Sequence, residues 1–580
     1  MKGFYTTLIL LIFVMLQIHV YAQELLPVDK SEFVQKKAER KAVYLKIKEA
    51  NKLYNSGLGY VTESLGLMLE AYDVNPENPQ LNYNIGICYL IDGPKIKALP
   101  YLLKVDSLQE NLSRDVHFFI GMVYQYQNEF SQAIVHFKMN LELIQQNHEK
   151  NTQDLVELCL KHIEECRNGK LLLDEQNISK VELLSNKVNT KFDEFNPYQY
   201  AGNLYFSSRR GIEGQDQRSV RDSKFYEKIY KVSLSDKLAD KSIVVDNKFD
   251  KKSNYAFLSK YMNDRFVVYS DNSGNGDFFF AEKRKDKWKY IEPITFINEE
   301  SSRESSACFT DDGKEVYFVS DRKGGFGECD IYYCSLNKKG KWSKPINIGG
   351  QINTEYDEGD VFVSSDGMEL YFSSKGHNTM GGYDIFKCER NANKTWGMPV
   401  NMGFPINSTD NDITYFKDKS GVFYFASERG GGFGGFDIYR QKVKPEIVEE
   451  KKALVVKDAK PVEKKEMAIV APIALAPSLS LIKIENTDRQ ELANEDFIYR
   501  VQIAACRREM SSVDLYNRYK GGAIIEHLYV EGWHRYTIGK FDNYEEAAKY
   551  KAACGVSDGF VVLFKGGYRI GYTHKPSVVK

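Results

Sequence analysis

Residues 369–386 read Glu369-Leu370-Tyr371-Phe372-Ser373-Ser374-Lys375-Gly376-His377-Asn378-Thr379-Met380-Gly381-Gly382-Tyr383-Asp384-Ile385-Phe386: an apolar strand, a glycine-rich turn and a second apolar strand. The succession returns from Tyr317-Phe318 to Asp330-Ile331-Tyr332 and from Tyr424-Phe425 to Asp437-Ile438-Tyr439. Weaker copies stand at Tyr205-Phe206-Ser207-Ser208 and Val267-Val268-Tyr269-Ser270. Trp288, Trp342 and Trp396 are 54 residues apart, and Pro345 and Pro399 keep one offset from the last two. Alternating strands joined by glycine-rich turns at that spacing predict four-stranded blades. Unit starts near Val188, Val245, Ile297, Ile352 and Ile406 count five, with six open if one unit is degenerate. Lys180-Val181-Glu182-Leu183-Leu184 matches Lys344-Pro345-Ile346-Asn347-Ile348, so an N-terminal strand is expected to complete the last blade and close a ring over 180–443.

These repeats resemble the WD-like propeller repeats of the TolB type found in bacterial envelope proteins. Five-bladed glycosidases place two or three carboxylates at the central channel, each used once. Here the visible acids Asp330, Asp384 and Asp437 recur at one place in successive blades, which marks them as turn braces. No nucleophile elbow or metal-ligand spacing appears, and His377 is the single propeller histidine. The expectation is therefore a binding platform: no enzyme, no catalytic residues, no metal and no cofactor. Asp271-Asn272-Ser273-Gly274-Asn275-Gly276-Asp277 with Glu282 mimics a calcium loop, but it aligns with a hairpin turn and is read as one.

Upstream, Tyr54, Tyr89 and Tyr124 are 35 residues apart, and Gly86 and Gly121 each lie twelve before Ala98 and Ala133. Small residues at a fixed period predict closely packed helix pairs over 23–170. The pattern resembles tetratricopeptide repeats, which implies an all-α solenoid with a concave surface for partner proteins. Before it, Lys2, the apolar run Leu8 to Leu16 and Val20-Tyr21-Ala22 read as a cleaved export signal over 1–22. No later stretch is apolar and long enough to span a bilayer. The nine cysteines are scattered and odd in number, so buried thiols are expected, with Cys506 and Cys554 the pair to test for a bridge.

Downstream, 444–494 alternates charges with Val, Ala and Pro and holds no aromatic residue, the composition of an extended tether. From 495 to 580 the pattern is β-α-β-β-α-β: a strand at 498–505, a helix at 511–520, a hairpin around Glu531-Gly532, a helix from Asn543 and a strand at 559–565. Tyr499-Arg500-Val501-Gln502-Ile503, Arg535-Tyr536-Thr537-Ile538-Gly539-Lys540-Phe541 and Tyr544-Glu545-Glu546-Ala547 resemble the SPOR domain. That resemblance implies a small α+β split-βαβ fold that binds peptidoglycan glycan strands stripped of stem peptides. Alternation puts Val501, Ile503, Tyr536 and Ile538 on the helix side and Arg500, Gln502, Arg535 and Thr537 on the other face. Those four, with Trp533 to stack on a sugar ring, are the candidate glycan-binding residues.

The chain has 580 residues, 42% of them hydrophobic, so several folded domains are expected. A net charge of -1 supplies no field to attract nucleic acid. Helical repeats, propeller and wall-binding module in that order resemble the PorE-type proteins of type IX secretion and gliding. The fold expectation is thus a multidomain chain of all-α solenoid, five-bladed all-β propeller and SPOR-like domain. The functional expectation is a non-catalytic periplasmic scaffold, near the outer membrane, that grips peptidoglycan and holds envelope or secretion-machinery proteins on its repeats and propeller. The alternatives are a wall-targeted propeller glycosidase or sialidase, and a regulator of peptidoglycan hydrolases at division sites.

Overall fold

A computed structural model describes 23–442 and 497–572 apart from short internal stretches, together with 481–483. The export signal at 1–22, most of the tether, nearly all of the helix read at 511–520, the cap at Asn543 and the centre of the calcium-like turn lie outside the described residues. Two compact units divide the chain, Met1–Lys442 and Val443–Lys580. Among the described residues no helix is long and apolar enough to cross a membrane.

The first unit contains five four-stranded antiparallel sheets. Blade 1 holds Glu194–Tyr200, Asn203–Ser208, Lys228–Ser233 and Ile243–Val244; blade 2 holds Tyr255–Tyr261, Arg265–Ser270, Asp277–Arg284 and Lys287–Pro293. Blade 3 holds Glu304–Phe309, Glu315–Ser320, Asp330–Ser335 and Ile346–Asn347; blade 4 holds Glu358–Val363, Glu369–Ser374, Asp384–Glu389 and Val400–Asn401. Blade 5 has Asp412–Lys417, Val422–Ser427 and Asp437–Lys442, and Lys180–Leu183 joins it as the fourth strand, pairing Lys180 with Lys442 and Leu183 with Tyr439. The first strand of each blade contacts the first strand of the next all the way round, so the sheets form a closed β-propeller.

A repeated asparagine staples blades 2, 3, 4 and 5 each to the blade that follows in the ring. Asn353 Oδ1 accepts from Ile331 N–H at 2.8 Å, Asn407 from Ile385 N–H at 2.8 Å, and Asn298 from Phe278 N–H at 2.9 Å. Asn189 repeats the bond to Ile438 N–H at 2.8 Å, and this one closes the ring across 249 residues of sequence. The recurring aspartates are loop braces: Asp330, Asp384 and Asp437 accept from the backbone N–H of Phe326, Met380 and Phe433, four residues upstream of each.

Before the propeller, helices α1 (Lys37–Tyr54), α2 (Val61–Tyr72), α3 (Pro79–Asp92), α4 (Leu99–Leu108), α5 (Val116–Tyr126), α6 (Phe130–Gln146) and α7 (Gln153–Asp174) pack against one another in chain order. Asn78 caps α3 by accepting from Leu81 N–H at 2.7 Å, with Pro79 at the first helical position. A Cβ on Gly86 would meet Leu102 at 2.7 Å, which is why a small residue recurs there.

The expected fold class is corrected here. No separate all-α tetratricopeptide solenoid stands apart from the β-structure: the helices belong to the same compact unit as the propeller. Their apolar core takes in Met380 of blade 4, fully buried among them. Gln125 Nε2 donates to the Met380 carbonyl at 3.2 Å, and Asn168 Nδ2 to the Thr379 carbonyl at 3.0 Å. Lys95 pairs with Asp410 at 2.6 Å and Glu428 at 3.3 Å, and Ser223 Oγ of blade 1 donates to the Ser56 carbonyl at 2.9 Å. The seven helices form a cap seated on blades 4, 5 and 1. A period read along the chain reports helix pairing but is silent on what the array is bolted to.

The second unit carries a six-stranded sheet in the order Leu481–Lys483, Ile525–Val530, Trp533–Phe541, Phe497–Cys506, Phe560–Lys565 and Tyr568–Tyr572, with α8 (Tyr544–Ala553) packed on it. The split-βαβ expectation is corrected in its strand count. Leu481–Lys483, within the stretch read as tether, runs parallel to Ile525–Val530, and Tyr568–Tyr572 adds the far edge. Cys506 and Cys554 are not bridged.

Candidate functional site

Each innermost blade strand contains a register shift, at Phe195/Tyr198, Phe257/Ser259, Glu304/Ser306, Glu358/Val361 and Ile413/Phe416. Such bulges re-aim a side chain, here in the strands around the propeller axis. Residues of all five strands line a cavity of about 30 Å³ there, including Asn196, Tyr198, Leu258, Ser306, Cys308, Asp360 and Thr414. As it stands that volume holds a water or two, so a sugar ring reaches Asp360 only if the innermost strands move apart. Bonds between neighbouring blades stiffen it: Val361 N–H to Ser306 Oγ at 3.2 Å, Asn196 N–H to Thr414 Oγ1 at 3.3 Å, and Lys260 N–H to Tyr198 Oη at 3.1 Å.

Asp360 is the one carboxylate among the described lining residues. Blades 1, 3 and 5 carry Asn196, Ser306 and Thr414 at the matching place, so this acid is not a repeat brace. Gly359 before it lets the strand close: a Cβ there would meet Ser373 Oγ at 2.5 Å, where the Asp360 N–H now donates to that hydroxyl at 2.8 Å. Asp360 is half-buried and lines the cavity. Burial pushes it up to about 6, against the opposing pull of hydrogen bonds from the Thr414 backbone and the Ser373 hydroxyl. A carboxyl balanced near neutrality can hand over a proton.

A second set of buried acids surrounds the hub. In blades 1, 3 and 5 Arg210, Arg322 and Arg429 pair with Glu194, Glu304 and Asp412, at 3.1, 3.0 and 2.6 Å. Each arginine also donates to the carbonyl of the blade start, Val188, Ile297 or Ile406. Blade 2 replaces the acid by Tyr255. Blade 4 keeps the acid, Glu358, but puts His377 where the arginine would be, its Nε2 2.8 Å from the Ile352 carbonyl. Burial then raises Glu358 to about 8, despite hydrogen bonds from Thr354 and Ser374, and lowers His377 to about 4.

In the second unit, Arg500, Gln502 and Thr537 are buried, while Trp533 and Arg535 are half-buried. Gln502 and Thr537 are register partners, and Arg500 stands opposite Val562. The Arg500 guanidinium pairs with Glu526 and lies 5.2 Å from the Phe564 ring centroid. Gln502 Oε1, Thr537 Oγ1 and Arg500 Nε are buried with no hydrogen-bond partner. The face read as open also carries the apolar cluster Phe560, Val562, Phe564 and Leu528, because the strand from Phe560 is apolar on both sides. The register thus puts all five predicted residues on one face, three of them enclosed.

No family model matches the chain, and no curated protein is similar to it. Similar solved structures include the GH43B protein of a Bacteroides ovatus xyloglucan PUL, 12% identical over 45% of this chain with a TM-score of 0.29. This chain spans about half of that protein's length, 54%. A GH43 β-1,3-galactosidase is 11% identical over 46% of this chain and 60% of its own, with a TM-score of 0.29. The Bacillus subtilis arabinanase Arb43A is 12% identical over 44% of this chain and 94% of its own, with a TM-score of 0.25. The expectation that the chain is no enzyme is corrected at this point. It rested on every visible acid recurring from blade to blade, and Asp360 does not recur. Lining up Asn196, Ser306, Asp360 and Thr414 behind their blade acids would have found it in the sequence.

Proposed function

We propose that the protein is an exported, wall-associated glycan-binding protein of the PorE-like kind, whose propeller hydrolyses a glycosidic bond with Asp360 as the acid. The C-terminal sheet takes hold of peptidoglycan glycan through Arg500, Gln502, Trp533, Arg535 and Thr537. Cap and propeller hold envelope partners in the periplasm. The observation that carries this reading is Asp360, a channel acid used once and poised near pH 6. In the protonated state it delivers its proton to the leaving glycosidic oxygen as the C–O bond breaks; water then adds to the sugar carbon to form the new hydroxyl, and its remaining proton returns to the Asp360 carboxylate. Three enclosed polar atoms without partners on the C-terminal sheet support a polar ligand there, since sugar hydroxyls would satisfy them.

The test is the full mature chain mixed with purified sacculi, intact or amidase-stripped, reading pelleted protein and released reducing ends. Wild type should pellet more with stripped sacculi and release sugar with a rate that declines as pH rises past 6. Asp360→Asn should pellet but release nothing; Gln502→Ala should stay in solution. Release that survives Asp360→Asn, or no release from any glycan offered, overturns the hydrolase reading. Failure to pellet overturns the wall reading independently.

A further inference from the structure

The turn between the second and third strands is built the same way in blades 3, 4 and 5. An aspartate at the start of the third strand accepts from the N–H four residues back, holding Phe326, Met380 and Phe433 at the loop tips. The glycine after each tip presses on the next blade: a Cβ on Gly327 would meet the Tyr356 carbonyl oxygen at 2.2 Å, and on Gly381 and Gly434 those of Thr409 and Phe192, also at 2.2 Å. The backbone of each loop is therefore held at the tip N–H and at the glycine that follows. Met380 is 0% exposed, sunk into the core of the helical cap, with Gln125 and Asn168 donating to the loop carbonyls beside it. Phe326 and Phe433, in the same place on the neighbouring blades, are 41% and 47% exposed.

We infer that Phe326 and Phe433 are docking knobs for α-helical segments of a partner protein, seated as Met380 is seated in this chain's own cap. The occupant is specified by the filled copy: two packed helices leaving an apolar socket, with an Asn or Gln side chain to bond the loop carbonyls. An aromatic carried on a held backbone has only two side-chain torsions to lose on binding, which makes it an efficient anchor. A second copy of this chain is a poor occupant, because its socket already contains its own Met380. The inference stands whether or not the channel cleaves glycan.

The experiment places a benzophenone-bearing phenylalanine at position 326 or 433 of the full chain in its native cells and maps the crosslinked peptides by mass spectrometry. Position 380 serves as the internal control and should crosslink to the cap; position 400, whose valine is 63% exposed on a blade's outer edge, is the background. The expected result is an adduct at 326 and 433, at least tenfold above position 400, to helical peptides of one exported protein. Phe326→Ser with Phe433→Ser should then reduce co-purification of that protein at least tenfold with the melting temperature unchanged. Adducts no stronger than at 400, adducts to a second copy, or adducts to strands, lipid or glycan overturn it.

Discussion

Blade 4 contains a buried acid without a cation, and its pH dependence can be worked out. Glu358 is fully enclosed and accepts from Thr354 Oγ1 at 2.8 Å, Thr354 N–H at 3.0 Å and Ser374 Oγ at 2.9 Å. Burial lifts its carboxyl from an ordinary 4.5 to about 8. An acid held tighter to its proton in the folded state gives stability that is complete below pH 4.5 and is lost as pH rises toward 8. A shift of that size corresponds to about 3–5 kcal/mol. For a propeller of this length, about 2 °C of melting temperature per kcal/mol makes this a fall of about 6–10 °C. Glu358→Gln keeps the shape and the acceptor oxygen but cannot ionise. Calorimetry from pH 5 to 9 should show the wild type losing about 6–10 °C relative to the variant by pH 9. Two curves that stay parallel would refute the reasoning, since Glu358 would then be ionising at its ordinary pH.

His377 gives the opposite limb: its imidazole is lowered to about 4, so stability is lost as pH falls below 6.5, and His377→Gln should flatten the melting curve between pH 6.5 and 4. Asn189→Ala removes the amide that bonds both Ile438 N–H and the Ile438 carbonyl across the ring closure, and denaturant unfolding should show a loss of about 1–3 kcal/mol. Thr537→Val replaces an enclosed hydroxyl that has no partner; the chain should gain up to about 1–3 kcal/mol while sacculus pelleting falls, and a gain without a binding loss would remove Thr537 from the glycan site.

Some of this was legible in the sequence, and the reason is physical. Four strands and their turns need a nearly fixed length, so the 54-residue spacing of Trp288, Trp342 and Trp396 exposes the blades directly. The match of Lys180-Val181-Glu182-Leu183-Leu184 to an outer strand located the ring closure, because an edge strand carries the same alternation wherever it lies in the chain. Three-dimensional neighbours were not legible. Nothing local says that Met380, one more residue of a glycine-rich turn, is swallowed by helices beginning some 340 residues earlier. Alternation reads Arg500, Gln502, Arg535 and Thr537 onto one face, but it could not report that Phe560, Val562 and Phe564 would share that face.

The departures from the repeat are more informative than the repeat. Where blades 1, 3 and 5 agree, the shared residue is a brace: Arg210, Arg322 and Arg429 on their buried acids, with Asp330 and Asp437 on their loops. Blade 2 gives up its acid for Tyr255, over whose ring Lys228 Nζ lies at 5.1 Å. Blade 4 departs three times and each departure costs or exposes something. It keeps Glu358 and loses the arginine, it puts an acid at 360 on the propeller axis, and it surrenders Met380 to the cap. Local rules broken at a cost are expected where selection acts on something besides stability. That the three fall in one blade, the one gripped by Gln125 and Asn168, makes blade 4 the place where the cap and the channel acid are most directly joined.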